Sequence, residues 1–302
     1  MIDFALEGLI HDTSPQNSEG WYAARRGVKT GSNASAMRAR TDGLTKQQRK
    51  YVEALRAGHD SDAALDIAGY KNKPKIESLD DHVKGTVAKE WTDTAKTYAM
   101  DVAREMEGGQ LPTFGEGGAA RMGHEQEPMA AIAYTARTDR ELEAVGFIST
   151  TDRSFGCSID RLVVGVRAAV EIKTMVSSVT LFKVVVMGDI SEYLDQCLFA
   201  MWLLTLEWID LCLWCPDLNY LHVVRITRDE EQIQALQDDI LAFAELVEQY
   251  SAKLRAVLAG EPVPADPAKA AAPVIKSARS PAPAPIPAMH ANSAALVPAA
   301  AF

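Results

Sequence analysis

The 302-residue sequence contains few cysteines, no long apolar run and no excess of positive charge. Because no stretch is apolar enough to span a bilayer and Met1–Glu7 lacks the basic region of a secretory signal, we expect a cytoplasmic protein without a membrane partner. A formal net charge of −10 disfavours attraction of nucleic acid to the whole surface, although a local basic channel stays compatible with it. With 47% hydrophobic residues, the chain is long enough to bury a full core.

The cysteine pattern argues against a zinc or iron-sulfur site. The sequence has four cysteines, Cys157, Cys197, Cys212 and Cys215. Cys212 and Cys215 lie in a segment that reads as a buried strand, where residues three apart face opposite sides. The other two stand alone on a predicted strand and helix, and single free cysteines commonly behave as small buried hydrophobes. We therefore predict that all four are structural.

Apolar periodicity and composition divide the chain into one domain, residues 1–260, and a tail, residues 261–302. The tail holds nine of the 14 prolines and long alanine runs, which predict disorder. The predicted elements of the domain are helices at 119–138, 190–206 and 229–258, strands at 145–149, 208–214 and 220–226, and a hairpin at 155–173. Strands flanking amphipathic helices predict an α/β domain with a central mixed sheet and helices on its faces.

The hairpin carries the most informative charges. Asp160 and Glu171 are symmetric about a point next to Gly165, so a two-residue type II′ turn there would place them directly opposite each other. Side chains alternate at period two, which returns Lys173 to the face of Glu171 and points Ile172 into apolar packing. Two carboxylates and one ammonium should therefore converge on one patch.

This patch is suited to a divalent cation. Mg²⁺ prefers oxygen ligands and commonly takes one or two protein carboxylates, which Asp160 and Glu171 supply, with a backbone carbonyl near Ile172 as a third oxygen. A bound metal activates water and neutralises phosphodiester charge, and Lys173 would orient or help deprotonate that water. The alternative is an ordinary cross-strand charge contact between solvated strands.

Two helices carry polar residues that a core face does not require. Glu127 lies one turn before the apolar face of the first predicted helix, and Gln196 lies one turn from Tyr193 on the second. Both side chains are placed to overlook the hairpin. Taken singly, each also fits a solvated helix surface.

Five ordered blocks of the sequence resemble one family. They are Trp21–Ser32 (W-x-x-x-R-x-G-x-x-T-x-S), Gly123–Glu127 (G-x-x-x-E), Ser158–Asp160 (in place of Ser-Pro-Asp), Glu171–Lys173 (E-x-K) and Tyr193–Trp202 (Y-x-x-Q with a downstream Met-Trp). Together these blocks resemble the phage lambda exonuclease family, also described as YqaJ-like viral recombinases, within the PD-(D/E)xK nuclease superfamily. The resemblance implies a restriction-endonuclease-like core in residues 1–260.

The resemblance implies roles for individual residues. It assigns Mg²⁺ binding to Asp160, Glu171 and Glu127, and catalytic support around the attacking water to Lys173 and Gln196. Two ions are expected, with Mn²⁺ as a substitute.

A second set of implied residues receives a DNA 5′-phosphate, namely Arg25, Ser32 and Ser158. A guanidinium offers bidentate donors to phosphate, and hydroxyls add neutral donors. Where the family has proline and glycine around the catalytic aspartate, this chain has Ile159 and Arg161, so Arg161 is a candidate contact to the DNA backbone.

The activity implied is Mg²⁺-dependent 5′-to-3′ degradation of one strand of duplex DNA, leaving a 3′ single strand for an annealing recombinase partner in the bacterial host cell. The family forms a homotrimeric ring, which would reconcile an acidic chain with a basic inner channel. One alternative is an endonuclease of the same superfamily. Another is a non-catalytic DNA-binding or packaging adaptor.

An insert at residues 42–78 supports the adaptor alternative. It reads as two short helices separated by a turn at Gly58 and ended by Gly69, a helix-turn-helix pattern similar to the N-terminal segment of phage terminase small subunits. Its basic residues fit a duplex-binding element, and they are Lys46, Arg49, Lys50, Arg56, Lys71, Lys73 and Lys75. Because Asp60, Asp62 and Asp66 are acidic, a helical packing or oligomer-contact insert is equally compatible.

Overall fold

The computed structural model describes residues 8–110 and 117–263. The helices of these residues are Glu19–Arg25 (α1), Ala34–Arg38 (α2), Lys46–Arg56 (α3), Ser61–Ala68 (α4), Leu79–Lys84 (α5), Asp93–Met106 (α6), Gly118–Thr138 (α7), Ser178–Leu181 (α8), Ser191–Leu204 (α9) and Glu230–Leu258 (α10). The strands are Leu9–Asp12 (β1), Lys29–Thr30 (β2), Arg40–Thr41 (β3), Glu90–Trp91 (β4), Leu142–Ala144 (β5), Phe147–Thr150 (β6), Phe155–Ser158 (β7), Arg161–Val163 (β8), Ala168–Thr174 (β9), Trp208–Cys215 (β10) and Tyr220–Thr227 (β11). Nearly all of the predicted tail, residues 264–302, lies outside the described residues.

The strands confirm the predicted mixed α/β class and divide between sheets. One sheet has the order β11-β10-β9-β8-β5, and a second has the order β1-β6-β7-β2, with β3 and β4 forming a separate pair. The β9–β10 and β2–β7 pairs are parallel, and the other pairs are antiparallel. The chain therefore crosses from one sheet to the other between β7 and β8, which is where Asp160 lies.

Helices cover both faces of the five-stranded sheet. On one face α9 and α10 pack in the main apolar core with Leu211, Leu213 and Cys215 of β10. On the other face, Ala130 and Tyr134 of α7 pack with residues of β9 and β10 in a second core. Because side chains alternate between the two faces along each strand, the position of a residue in its strand determines which helices it packs against.

The four cysteines are buried and free, as predicted. Cys212 belongs to the core under α7, whereas Cys215 belongs to the main core on the opposite face. The strand geometry that disfavoured chelation by this pair is therefore confirmed.

The predicted register of the β8–β9 hairpin is correct. Arg161 pairs with Val170 in an antiparallel ladder, and the same register carries Asp160 to a position opposite Glu171. The spacing of the two residues was sufficient to predict this register, because each strand is continuous from its first paired residue to the turn.

The turn of this hairpin differs from the predicted two-residue type II′ turn. The N–H of Val166 donates to the carbonyl of Val163, which makes Gly165 the third residue of the turn, with φ of +75°. Positive φ at the third residue is typical of a type II turn. The prediction assigned glycine correctly to the turn but at the wrong position, because the chain makes a longer connection between the paired residues.

The insert contains the two predicted helices, α3 and α4. Gly69 ends α4 in the left-handed conformation, with φ of +72°, as expected for a helix-terminating glycine. The insert has its own apolar cluster, built around Tyr51, Ala54, Ala64 and Ala68. No helix of the described residues is long and apolar enough to cross a membrane.

Candidate active site

Asp160 lies at the crossing between the two sheets, directly before β8. Its Oδ2 accepts a hydrogen bond from the Ile172 backbone N–H at 2.6 Å, which fixes the carboxylate against β9. The side chain of Ile172 itself packs in the core under α7, as alternation predicted. The hairpin thereby brings Asp160 to the strand that carries Glu171 and Lys173.

Glu171 is 2% exposed, and its two carboxylate oxygens have different environments. Oε1 is 2.7 Å from Lys173 Nζ and accepts a hydrogen bond from Gln196 Nε2 at 2.6 Å. Oε2 is buried and has no hydrogen-bond partner among the described residues. Gln196, on α9, therefore contacts the carboxylate cluster, and one oxygen of Glu171 stays available to a further group.

The electrostatics of this cluster are suited to binding a cation. Burial and the neighbouring carboxylates of Glu171 and Glu127 raise the pKa of Asp160 well above its usual range. Burial alone would lower the pKa of Lys173, but Glu171 and Asp160 outweigh it and raise that pKa above its usual value. Carboxylates that destabilise each other's charge, together with an unpartnered buried oxygen, form a donor set suited to a hard cation.

Glu127 reaches the site from α7, and its carboxylate pairs with Arg161. Nη1 of Arg161 donates to Glu127 Oε1 and, at 2.5 Å, to the carbonyl of Asp160. Arg161, a candidate DNA contact from sequence, is thus paired with a predicted metal ligand. Within residues 8–110 and 117–263, no three His, Cys, Asp or Glu side chains are placed closely enough to hold a metal ion by themselves.

The three predicted phosphate-binding residues meet beside this cluster. Arg25 Nη1 donates to Ser158 Oγ at 3.3 Å, and its Nη2 donates to Ser32 Oγ at 3.2 Å. The guanidinium stacks 4.2 Å above the ring of Trp21. Burial lowers the pKa of Arg25, and no carboxylate of the described residues is hydrogen-bonded to it. The pocket is therefore built around a stacked guanidinium whose two serine partners are neutral hydroxyls.

Further residues of this pocket were not assigned a role from sequence. Trp21 Nε1 donates to Ser158 Oγ at 3.3 Å, and Thr30 Oγ1 lies 3.3 Å from Ser32 Oγ. The Thr30 N–H donates to the hydroxyl of Tyr98, which comes from α6. Trp21 and Thr30 occur in the opening block of the sequence motif, so a signal for them existed. Tyr98 lies far from that block, and no sequence signal pointed to it.

Two cavities connect the phosphate pocket to the carboxylate cluster. One, of about 420 Å³, is lined by Trp21 and Ser158 on one side and by Glu127 and Asp160 on the other. The second, of about 460 Å³, is also lined by Glu127 and Asp160, and extends to Lys173. Glu127 and Asp160 therefore stand where the two cavities adjoin.

A family model matches the segment that contains the carboxylate cluster. Residues 83–207 match the YqaJ-like viral recombinase domain. The matched segment, here called the YqaJ-like domain, is less than half of the chain. This match confirms the resemblance predicted from the five blocks. The YqaJ-like domain contains the whole carboxylate cluster, whereas Arg25 and Ser32 precede it in the chain.

The fold around the YqaJ-like domain resembles solved nuclease structures. An alkaline exonuclease, LHK-Exo, from Laribacter hongkongensis matches with a TM-score of 0.56 and 22% identity, over 80% of this chain and 99% of that chain. The same values hold for LHK-Exo in complex with dAMP. A phage related exonuclease from Haemophilus somnus 129PT matches with a TM-score of 0.43 and 17% identity, over 62% of this chain and 91% of that chain. No curated protein matches the sequence. At 22% identity the likeness to LHK-Exo establishes a shared fold.

Proposed function

We propose that this protein is an Mg²⁺-dependent exonuclease that hydrolyses one strand of duplex DNA from a 5′ end and leaves a 3′ single strand. The observation that carries the proposal is the meeting of a carboxylate cluster with an anion pocket, joined by cavities that share Glu127 and Asp160. The YqaJ-like domain and the fold shared with an alkaline exonuclease support the same reaction class. Such an enzyme would act on phage DNA inside the bacterial host.

Asp160 and Glu171, with Glu127 and the carbonyl of Ile172 beside them, would hold the metal. Mg²⁺, as one or two ions and replaceable by Mn²⁺, supplies activation of water and neutralisation of phosphodiester charge when bound. The unpartnered Oε2 of Glu171 supports this assignment. So does the raised pKa of Asp160, because burial and the neighbouring carboxylates disfavour its ionised form and a bound cation would favour it.

Lys173 and Gln196 hold Glu171 in place by donating to the same oxygen, Oε1. A raised pKa keeps Lys173 protonated at neutral pH, so we assign it to orienting water and a phosphate oxygen by donation rather than to accepting a proton. Hydrolysis adds water across the P–O3′ bond and releases a nucleoside 5′-monophosphate. The dAMP bound by LHK-Exo is a mononucleotide.

Arg25, Ser32 and Ser158 would receive the terminal 5′-phosphate. Arg25 already faces two hydroxyls and has no ion-pair partner among the described residues, so a phosphate could pair with it in the pocket. Charge-assisted hydrogen bonds to phosphate are about twice as strong as neutral ones. This pocket would select the end of the strand and set the position of the first scissile bond.

The proposed assembly is a homotrimer that passes its single-stranded product to an annealing recombinase. Next to the site, exposed apolar side chains offer a contact surface, and they include Val179, Val186 and Met187 at 78%, 67% and 74% exposure. The mass in solution, measured by light scattering, tests the trimer. A monomeric mass at micromolar concentration would contradict it.

One digestion experiment tests the reaction. Linear duplex with 5′-phosphate ends, the same duplex with 5′-hydroxyl ends, and closed circular DNA are each incubated with Mg²⁺ and with EDTA. We expect loss of the linear substrates in Mg²⁺, fastest with 5′-phosphate, and an intact circle. Cutting of the circle would support the endonuclease alternative, and no hydrolysis with any divalent metal would support a non-catalytic DNA-binding or packaging adaptor.

A further inference from the structure

The insert carries a cluster of lysines that the active site does not use. It comprises Lys46 and Lys50 of α3 and Lys71, Lys73 and Lys75 of the segment after α4, here called the lysine cluster. All five side chains are exposed, and none forms an ion pair with another described residue. The chain as a whole has a net charge of −10, whereas these five unpaired ammonium groups form a local concentration of positive charge.

Hydrogen bonds from α3 hold the two parts of the lysine cluster together. Gln47 Nε2 donates to the carbonyls of Ala68 and Gly69, each at 3.1 Å. The adjacent Gln48 donates through Nε2 to the carbonyl of Lys75, also at 3.1 Å. Both ends of the segment that carries three lysines are thus fixed against the first turn of α3, which begins at Lys46 and is followed directly by Lys50.

The insert separates its free positive charges from its paired ones. Arg49 is hydrogen-bonded to both carboxylate oxygens of Asp42, and Arg56 donates to the carbonyl of His82. The two arginines are therefore structural. Only the lysines are available to an external anion.

Helix α4 is unsuited to reading bases, although it stands where a helix-turn-helix has its recognition helix. Its exposed residues include Asp62 and Asp66, and the segment Ser61–Ala68 contains no basic residue. Carboxylates facing DNA phosphates would repel them. The lysine cluster, in contrast, matches the phosphate backbone, which any duplex presents regardless of sequence.

We propose that the lysine cluster is a second DNA-binding surface, which holds the phosphate backbone of the duplex outside the active site without reading its sequence. The inference rests on the proposed function, because it assumes that duplex DNA is the substrate. It gives the insert the role of keeping the enzyme on its substrate between cleavage events.

Binding of a labelled blunt duplex, measured by fluorescence anisotropy in EDTA with the full chain, tests this inference across about 50 to 200 mM salt. The logarithm of the binding constant should fall with the logarithm of salt by about 0.9 for each phosphate neutralised. The triple variant Lys71→Ala, Lys73→Ala, Lys75→Ala should lower that slope by about 2 to 3, and should weaken binding to AT-rich and GC-rich duplexes alike.

Two control variants isolate the effect. Lys84→Ala, Lys89→Ala, Arg104→Ala removes the same charge elsewhere and should leave the slope within experimental error. Lys71→Arg, Lys73→Arg, Lys75→Arg keeps the charge and should retain the wild-type slope. Circular dichroism should show equal melting for all variants, since the exchanged side chains are exposed.

The outcomes separate the two levels of the proposal. In one contrary outcome, the wild-type protein binds duplex and the alanine variant has an unchanged salt slope. In another, the control variant lowers the slope equally. Either result would contradict DNA binding by the lysine cluster without contradicting the nuclease activity. Wild-type protein that binds no duplex overturns both. A reduced slope for the alanine variant alone supports the inference.

Discussion

Glu171 and Asp210 are buried carboxylates on opposite faces of the same sheet, and both are 2% exposed. Asp210 accepts from the Tyr134 hydroxyl at 2.7 Å and from two guanidinium nitrogens of Arg225, each at 2.8 Å. Glu171 shares one oxygen between two donors, and its other oxygen has none. The two carboxylates are therefore equally buried but differ in role. Both oxygens of Asp210 have hydrogen-bond partners, so this saturated carboxylate supports the fold. Glu171 has one oxygen without a partner, so this unsaturated carboxylate is available to a ligand.

The two tryptophan-stacked arginines repeat this contrast. Arg225 lies 3.8 Å above the ring of Trp208 and is paired with Asp210, whereas Arg25 lies 4.2 Å above Trp21 with hydroxyl partners. Stacking on an aromatic ring orders a guanidinium in both places. The difference is that Arg225 is paired with a carboxylate, whereas the hydrogen bonds of Arg25 within the described residues go to hydroxyls, so Arg25 can also bind an external anion.

The strongest test of this comparison is Glu171→Gln. Removing the charge while keeping the shape should lower nuclease activity by on the order of 10³-fold, because a metal contributes several kcal/mol of transition-state stabilisation. Initial rates on linear duplex in Mg²⁺ measure it. Glu143→Gln, an exposed change in the same sheet, is the control and should keep full activity. Retained activity in Glu171→Gln contradicts the catalytic assignment.

Asp210→Asn should have the complementary effect. It leaves Arg225 and Tyr134 facing an amide in place of a carboxylate. Because Asp210 is buried while Arg225 is 46% exposed, the change should cost about 1–3 kcal/mol of unfolding free energy. Urea denaturation measures the loss. Asp239→Asn is the control, because Asp239 is 35% exposed in its pair with Arg38 and should cost less than about 1 kcal/mol. If the two variants lose the same amount, Asp210 is not the saturated support that its contacts indicate.

Arg25→Lys should change the choice of DNA end rather than the chemistry. A lysine keeps the charge but loses the planar fork, so the preference for 5′-phosphate over 5′-hydroxyl ends should fall about tenfold, or about 1.4 kcal/mol. Rates on the two substrates give the ratio. The matched control is Arg153→Lys, since the hydrogen bonds of Arg153 within the described residues go to the carbonyls of Ala23 and Ala24 of the neighbouring helix. An equal drop on both substrates would remove Arg25 from end recognition.

The sequence was sufficient for the parts of the site that depend on local geometry. Spacing predicted the register that places Asp160 opposite Glu171, and helical periodicity placed Gln196 beside it, because one strand ladder and one helix face decide these contacts. The turn position was wrong, since several connections produce the same register. The sequence pattern also did not predict that the strands divide between two sheets, because the alternation of side chains does not identify which strands pair with each other.

Long-range charge pairs were inaccessible to sequence reasoning for a different reason. Arg161 and Glu127 are 34 residues apart, and their pairing depends on how α7 packs over the hairpin. Asp210, Tyr134 and Arg225 likewise come from three elements, and each alone reads as an ordinary residue of its strand or helix. Whether a buried carboxylate is saturated is thus a property of tertiary packing, and it is this property that distinguishes Asp210 from Glu171.

Asp160→Asn gives the smallest and most diagnostic effect, the pH dependence of stability in metal-free protein. Because burial and Glu171 raise the pKa of Asp160 above 3.8, the folded state binds its proton more tightly than the unfolded state. Stability of the wild-type protein should therefore fall as pH rises from about 4 toward the folded pKa. Asparagine does not titrate, so the unfolding free energy of the variant should increase relative to that of wild type as pH rises over the same range.

Urea denaturation in EDTA between pH 4 and 8 measures this difference. Lys173 does not interfere, because its raised pKa lies above 10.5 and it stays charged throughout. With excess Mg²⁺ the gain should shrink, since a cation bound between Asp160 and Glu171 removes the repulsion that causes it. The contrary outcome is a difference in unfolding free energy between the variant and wild type that is constant with pH or increases toward acid. Either result would mean that the carboxylates of the cluster are as well compensated as Asp210, and it would contradict the contrast between the two faces of the sheet.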